Sequence, residues 1–281
     1  MKTLLKLTLS LAVLGLLSAP VFAGNIALTG HDDDFHYNFG PNKVDAGSQL
    51  AAMVKFAENG SSLPVLTFDA GSELTDALTG LGISFTNVNP DSAGAVTASL
   101  FNASTYSAFV VASDGSCGGC DNDATGEVAI AAQSTAIDNF LNAGGGIVGL
   151  AGADSTGFYD FVPQTATSVG GAPSTGYSQT SVGATYGINA VNGDETHNLF
   201  QNPGTDGESS FYQVAEVNSF GNSSIPGPNA AATLICVNCT TTGGVITGGG
   251  GSTPEPASLV LLGTGLLALG ILAKRKALPV R

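Results

Sequence analysis

From residue 24 to residue 151 the chain alternates short unbroken apolar runs with segments whose apolar residues recur every three or four positions. The runs at 25–30, 63–68, 83–88, 108–113 and 147–151 read as strands. Most of them lack a polar phase, as strands buried on both faces do. In 45–59, Leu50, Met53, Val54 and Ala57 are spaced by three and four and Gly60 follows, which predicts a helix with a stop. Ser72 predicts the cap of a second helix reaching Leu81, with Glu73 and Asp76 in its opening turns, where the helix dipole favours acid. Residues 127–142 place Ile130, Ile137, Phe140 and Leu141 on one helical face, and the glycines 144–146 end it. Strands alternating with helices predict an α/β body: a parallel sheet with helices on both faces.

After Tyr159 the pattern weakens. Residues 162–184 are Gly, Ser and Thr with few apolar anchors, which predicts a loop-rich part. Residues 211–217 alternate like a strand, and 230–237 read as a last one. A Gly/Thr linker is expected over 241–253, so the body spans 24–240.

Both ends carry targeting patterns. Residues 1–23 have Lys2 and Lys6, a leucine-rich run and small residues before Ala23, the pattern of a secretory signal peptide. Residues 257–273 are uncharged, and Lys274, Arg275 and Lys276 follow. That length is near the minimum for a helix crossing a hydrocarbon core of about 30 Å. A C-terminal transmembrane helix over 257–273 is therefore expected, with its basic flank on the cytoplasmic side.

Pro254, Glu255 and Pro256, the glycine-bearing apolar run and the basic cluster together resemble a PEP-CTERM sorting segment, over 254–281. The resemblance implies export, recognition by an exosortase, and a cell-surface or extracellular location in an exopolysaccharide-rich envelope. The implied partners are the exosortase and secretion machinery, the membrane through the C-terminal helix, and exopolysaccharide.

Charge narrows the partners further. The whole chain carries a formal charge of −14, but the basic residues lie mostly at its ends. Between Gly24 and Thr253 there are 21 acids against only Lys43 and Lys55, a net charge of −19. Such a field repels nucleic acid and favours solubility and divalent cations. The four cysteines form two pairs, Cys117 with Cys120 and Cys236 with Cys239. In an exported chain they read as disulfides before they read as a four-thiolate zinc site, with the connectivity open.

In an open parallel sheet, ligands bind beyond the carboxyl ends of the strands. The loops leaving those ends hold His31, Asp32, Asp33, Asp34 and His36 after the first strand, and Asp114 through Asp123 after the fourth. His31, Asp32, Asp34 and His36 form a candidate site for zinc, manganese or calcium. His197, close to Asp194 and Glu195, is a further candidate base or ligand, so His31, His36 and His197 are the candidate catalytic residues. The alternatives are a solvated acidic turn at 31–36 and a hydrogen-bonded turn at His197. The acids at 121–123 do not follow the EF-hand spacing and suit a helix cap better.

The glycines 144–146, the run 147–151 and the turn at Gly152, with the leading strand before His31, resemble the class I glutamine amidotransferase-like fold and its ThuA-like members. The resemblance implies a flavodoxin-like parallel sheet. It also implies a nucleophilic cysteine in the turn after the strand, where this chain has Ala151, Gly152 and Ala153. Nucleophilic catalysis needs the thiolate and its base. The expectation is thus a non-catalytic binding or structural body, with a metal-assisted hydrolase or sugar-modifying enzyme as the alternative.

Overall fold

The computed structural model describes residues 23–115, 121–152, 157–163, 166–193, 197–201 and 211–248. Five short strands open the fold: β1 (Gly24–Thr29), β2 (Val65–Phe68), β3 (Phe85–Val88), β4 (Ala108–Val111) and β5 (Gly146–Gly149). They pair in parallel in the order β3-β2-β4-β5-β1. Helices α1 (Asp33–Phe39), α2 (Lys43–Glu58), α3 (Glu73–Gly80), α4 (Ala124–Ala131) and α5 (Ser134–Asn142) lie between them in sequence.

Each strand feeds two cores because its side chains alternate across the sheet. Ile26, Leu28, Phe68 and Phe109 pack with Ile137, Phe140 and Leu141 of α5 on one face. Ala27, Val65, Ala108 and Val110 pack with Leu50, Met53 and Val54 of α2 and Leu74 and Leu78 of α3 on the other. All of these side chains are buried, and each large one contributes about 1.5–3 kcal/mol relative to exposure.

The later strands correct the expected fold class. They are β6 (Ser168–Gly170), β7 (Tyr177–Gln179), β8 (Asn198–Phe200), β9 (Gln213–Asn218), β10 (Ala230–Thr242) and β11 (Val245–Gly248), with α6 (Ser181–Tyr186) between β7 and β8. β10 runs antiparallel to β1, β8, β9 and β11. The described residues thus form one mixed sheet of eleven strands, not a flavodoxin-like parallel sheet followed by loops. A flavodoxin-like sheet has its first strand inside the parallel order 2-1-3-4-5. Here β1 lies beyond β5 and meets β10 on its other side. The strands persist past residue 240, where the linker is expected to begin: β10 continues to Thr242 and turns back through Gly243 and Gly244 into β11.

No helix among the described residues is long and apolar enough to cross a membrane, and the expected spanning segment 257–273 lies outside them. The described residues fall within one compact unit, Phe22–Gly250.

Two helix expectations are refined. The segment 127–142 is two helices, α4 and α5, separated by Ala132 and Gln133. Asp123 caps α4, its carboxylate accepting from the backbone N–H of Thr125 at 2.7 Å and Gly126 at 3.3 Å. Ser72 stands before α3 without a capping side-chain hydrogen bond. Asp69 and the more distant Asp121 take that role.

Candidate functional site

Parallel pairing brings the ends of β1, β2, β4 and β5 level, so the residues after them share one edge of the sheet. This edge collects most of the buried carboxylates, and it divides into three hydrogen-bonded groups.

Asp32 lies at the N-cap position of α1, directly beyond β1. Its Oδ1 is 3.4 Å from Nε2 of His36, one helical turn onward, and its Oδ2 is 3.2 Å from Nε2 of His197. The Asp32 side chain is 3% exposed, whereas those of His36 and His197 are 12% and 18% exposed, so solvent reaches the imidazoles. Backbone contacts set this geometry. The N–H groups of His197 and Asn198 both donate to the carbonyl of Gly30, at 2.9 and 3.3 Å. Gly30 permits that approach, because a Cβ there would lie 1.9 Å from the carbonyl oxygen of Asn198.

His31 points elsewhere. Its Nε2 is 2.9 Å from Oε2 of Glu216 on β9, and both side chains are fully buried. The same Oε2 accepts from Gln49 Nε2 at 3.0 Å and Thr233 Oγ1 at 2.8 Å, while Oε1 accepts from the backbone N–H of Val191 at 2.9 Å. Tyr177 packs on the imidazole in a T-shaped contact. Glu216 therefore joins β1, α2, β9 and β10 through one carboxylate. Sequence reasoning missed it. The available signal was a carboxylate between Ala215 and Val217 in an alternating strand.

The third group is acidic. Asp34 is buried and accepts from the backbone N–H of Ser113 at 3.0 Å and, in a short contact, from its hydroxyl. Burial raises its pKa to about 6 despite those bonds. Asp121 accepts from the backbone N–H groups of Ser72 at 3.0 Å and Leu74 at 3.2 Å, and Asp69 from that of Thr75 at 2.9 Å. These carboxyls serve the start of α3, where unpaired N–H groups and the helix dipole favour oxygen acceptors. Burial, together with Glu73 and Asp69, pushes Asp121 up to about 10. Burial also raises Asp69, whereas the hydrogen bond to Asp121 lowers Glu73. The crowding of carboxyls around Asp121 thus favours its protonated form. Asn122 ties the same loop down, donating to the carbonyl of Phe68 and accepting from the N–H of Ala70.

The structure therefore distributes the predicted residues rather than merging them. His36 and His197 meet at Asp32, His31 meets Glu216, and Asp34 meets Ser113. Among the described residues, no group of three or more His, Cys, Asp or Glu side chains is arranged to hold a metal ion. The two imidazoles on Asp32 address different oxygens, which suits hydrogen bonding to the carboxylate.

Cys236 and Cys239 form a disulfide within β10, and Cys117 and Cys120 lie outside the described residues. At the turn where the amidotransferase-like resemblance requires a nucleophile, Ala151 is buried. The N–H of Gly152 donates to Asn198 Oδ1 at 2.7 Å, and Ala153 lies outside the described residues.

Residues 252–276 match the family described as the PEP-CTERM protein-sorting motif. No curated protein and no solved structure matches the chain, so the amidotransferase-like resemblance of the body has no support. The sorting motif supports an exported, exosortase-sorted protein associated with the cell envelope.

Proposed function

We propose that the body, from residue 24 through β11, acts after export as a binding or structural module at the cell surface or in the extracellular matrix, without catalysing a reaction. The sorting motif at 252–276 is the observation that carries this reading. Two features of the body agree with it. Its disulfide suits an oxidising compartment. The buried acid and histidine groups at the strand ends are used to bind loops to one another. The test is localisation. Replacing Pro254, Glu255 and Pro256 by Ala should retain the protein at an earlier stage of export, with the body still folded. Unchanged delivery of that variant to the surface or medium overturns the reading.

A second reading, hydrolysis or sugar modification at the sheet edge, has one observation in its favour: Asp32 orients two solvent-reached imidazoles, as a general-base dyad requires. Turnover of ester or glycoside substrates that is lost in His197→Asn and His36→Asn, with folding intact, would establish it. Absence of turnover in the unaltered protein removes it.

A further inference from the structure

A cleft of about 450 Å³ opens between α5 and the turn joining β10 to β11, away from the acidic edge. That volume lies within the range of small-molecule sites. Ser134, Thr135, Asp138, Asn139 and Asn142 line one wall, at spacings that place them along a single face of α5. Thr241, Gly243 and Gly244 line the other.

The two walls are tied together. Asn142 Oδ1 accepts from the N–H of Thr241 at 2.8 Å, and its Nδ2 donates to the Thr241 carbonyl at 3.0 Å. The N–H of Gly244 donates to Asp138 Oδ2 at 2.9 Å. Gly243 and Gly244 have φ of 62° and 80°, the left-handed values that a two-residue hairpin turn needs at both central positions. The disulfide at Cys239 closes two residues before Thr241. The hairpin wall, with Asn142 and Asp138 facing it, is thus positioned before any ligand arrives, which lowers the ordering cost of binding on that side, while Ser134, Thr135 and Asn139 stand exposed on α5.

The remaining capacity has a definite chemistry. Among the described residues, the side chains of Ser134, Thr135 and Asn139 make no hydrogen bond, and Asp138 keeps its second oxygen for a ligand. Hydroxyls, an amide and one carboxylate offer both donors and acceptors at short spacing. No Lys or Arg lines the cleft, which disfavours phosphate, sulfate and uronate. No large apolar side chain lines it either, which disfavours a lipid or an apolar peptide. A ligand dense in neutral hydroxyl groups satisfies all of these conditions.

We propose that this cleft binds a neutral saccharide. The inference rests on the reading of the body as a binding module, and it is independent of how the protein is sorted. The purified full-length protein is titrated with cellotetraose, maltotetraose, laminaritetraose, mannotetraose and tetra-N-acetylchitotetraose, with tetragalacturonate as the anionic comparison. Heat of binding is read at up to about 10 mM saccharide, enough to detect affinities on the mM scale. At least one neutral saccharide should bind. Asn139→Ala and Asp138→Asn should each weaken it by about tenfold, the loss of one to two hydrogen bonds. Asp138→Asn keeps an acceptor for Gly244, so the hairpin and the melting temperature should be unchanged. Binding by none of the neutral saccharides, equal binding by both variants, or preference for tetragalacturonate overturns the proposal. Failure here with normal sorting separates it from failure of the export reading.

Discussion

Oε2 of Glu216 lies 2.9 Å from Nε2 of His31, with both side chains fully buried and a sequence separation of 185. This contact joins the end of the first strand to a strand near the end of the body. Three side-chain donors converge on that one oxygen, and a backbone N–H occupies the other. Glu216→Gln must turn its NH2 group toward donors on one side or the other. The expected cost is about 3 kcal/mol in chemical denaturation, from donors left buried and unsatisfied. A variant of unchanged stability would show that the network is not structural.

Gly30→Ala tests how His197 reaches Asp32. The added Cβ meets the backbone oxygen of Asn198, which cannot yield without moving β8. A loss of about 2–3 kcal/mol is expected, in the range of backbone strain combined with overpacking. The nuclear magnetic resonance signals of the His36 and His197 imidazoles should shift together. Unperturbed imidazole signals would mean that Asp32 and His197 do not depend on the Gly30 contact.

The acidic edge sets a pH dependence of definite sign. A carboxyl whose pKa is raised in the folded state binds its proton more tightly there than in the unfolded chain. Its contribution to stability is full below the unfolded value and is lost as pH rises through the folded value. For Asp34, 3.8 rises to about 6, so the loss falls between about pH 4 and pH 6. It amounts to about 3 kcal/mol. The raised Asp69 acts in the same direction, and so does Asp121, whose loss begins near the unfolded value and continues up to about pH 10. Glu73 and Asp123, which are lowered, act oppositely, so the comparison must be between variants. Stability measured against pH should be flatter between pH 4 and 7 in Asp34→Asn than in the unaltered protein. Parallel curves would contradict the assignment.

The Cys236–Cys239 disulfide closes a loop of sequence separation three. For so short a loop, chain entropy gives about 2 kcal/mol of stabilisation. Cys236→Ser with Cys239→Ser should lower stability by about that amount. Intact mass without reduction should show the bond in the exported protein. Free thiols at both positions would remove the bond from the account of β10.

The legible and illegible parts of this fold differ in physical kind. The strands at 25–30, 63–68, 108–113 and 147–151 could be read because burial on both faces leaves unbroken apolar runs. β6, β7 and β8 have three residues each, too few to show a period. The apolar pattern of β10 stops at Val237, because its continuation through Asn238 and the threonines is held by pairing with β11 and by the disulfide. Strand order was illegible altogether. Every parallel strand has similar composition, and nothing local places β1 beyond β5. The gathering of His31, Asp32, Asp34 and His36 at one edge followed from strand polarity, but their partners did not. Glu216 and Ser113 lie 185 and 79 residues away, and only tertiary packing selects them.

The central claim is that this chain is exported and sorted through its C-terminal motif. The most direct measurement is the intact mass of the protein recovered from the cell surface and the medium. The account predicts a polypeptide that begins near Gly24, carries its disulfide and has been processed at the sorting segment that contains Pro254, Glu255 and Pro256. A cytoplasmic protein of the full mass of residues 1–281 would contradict it.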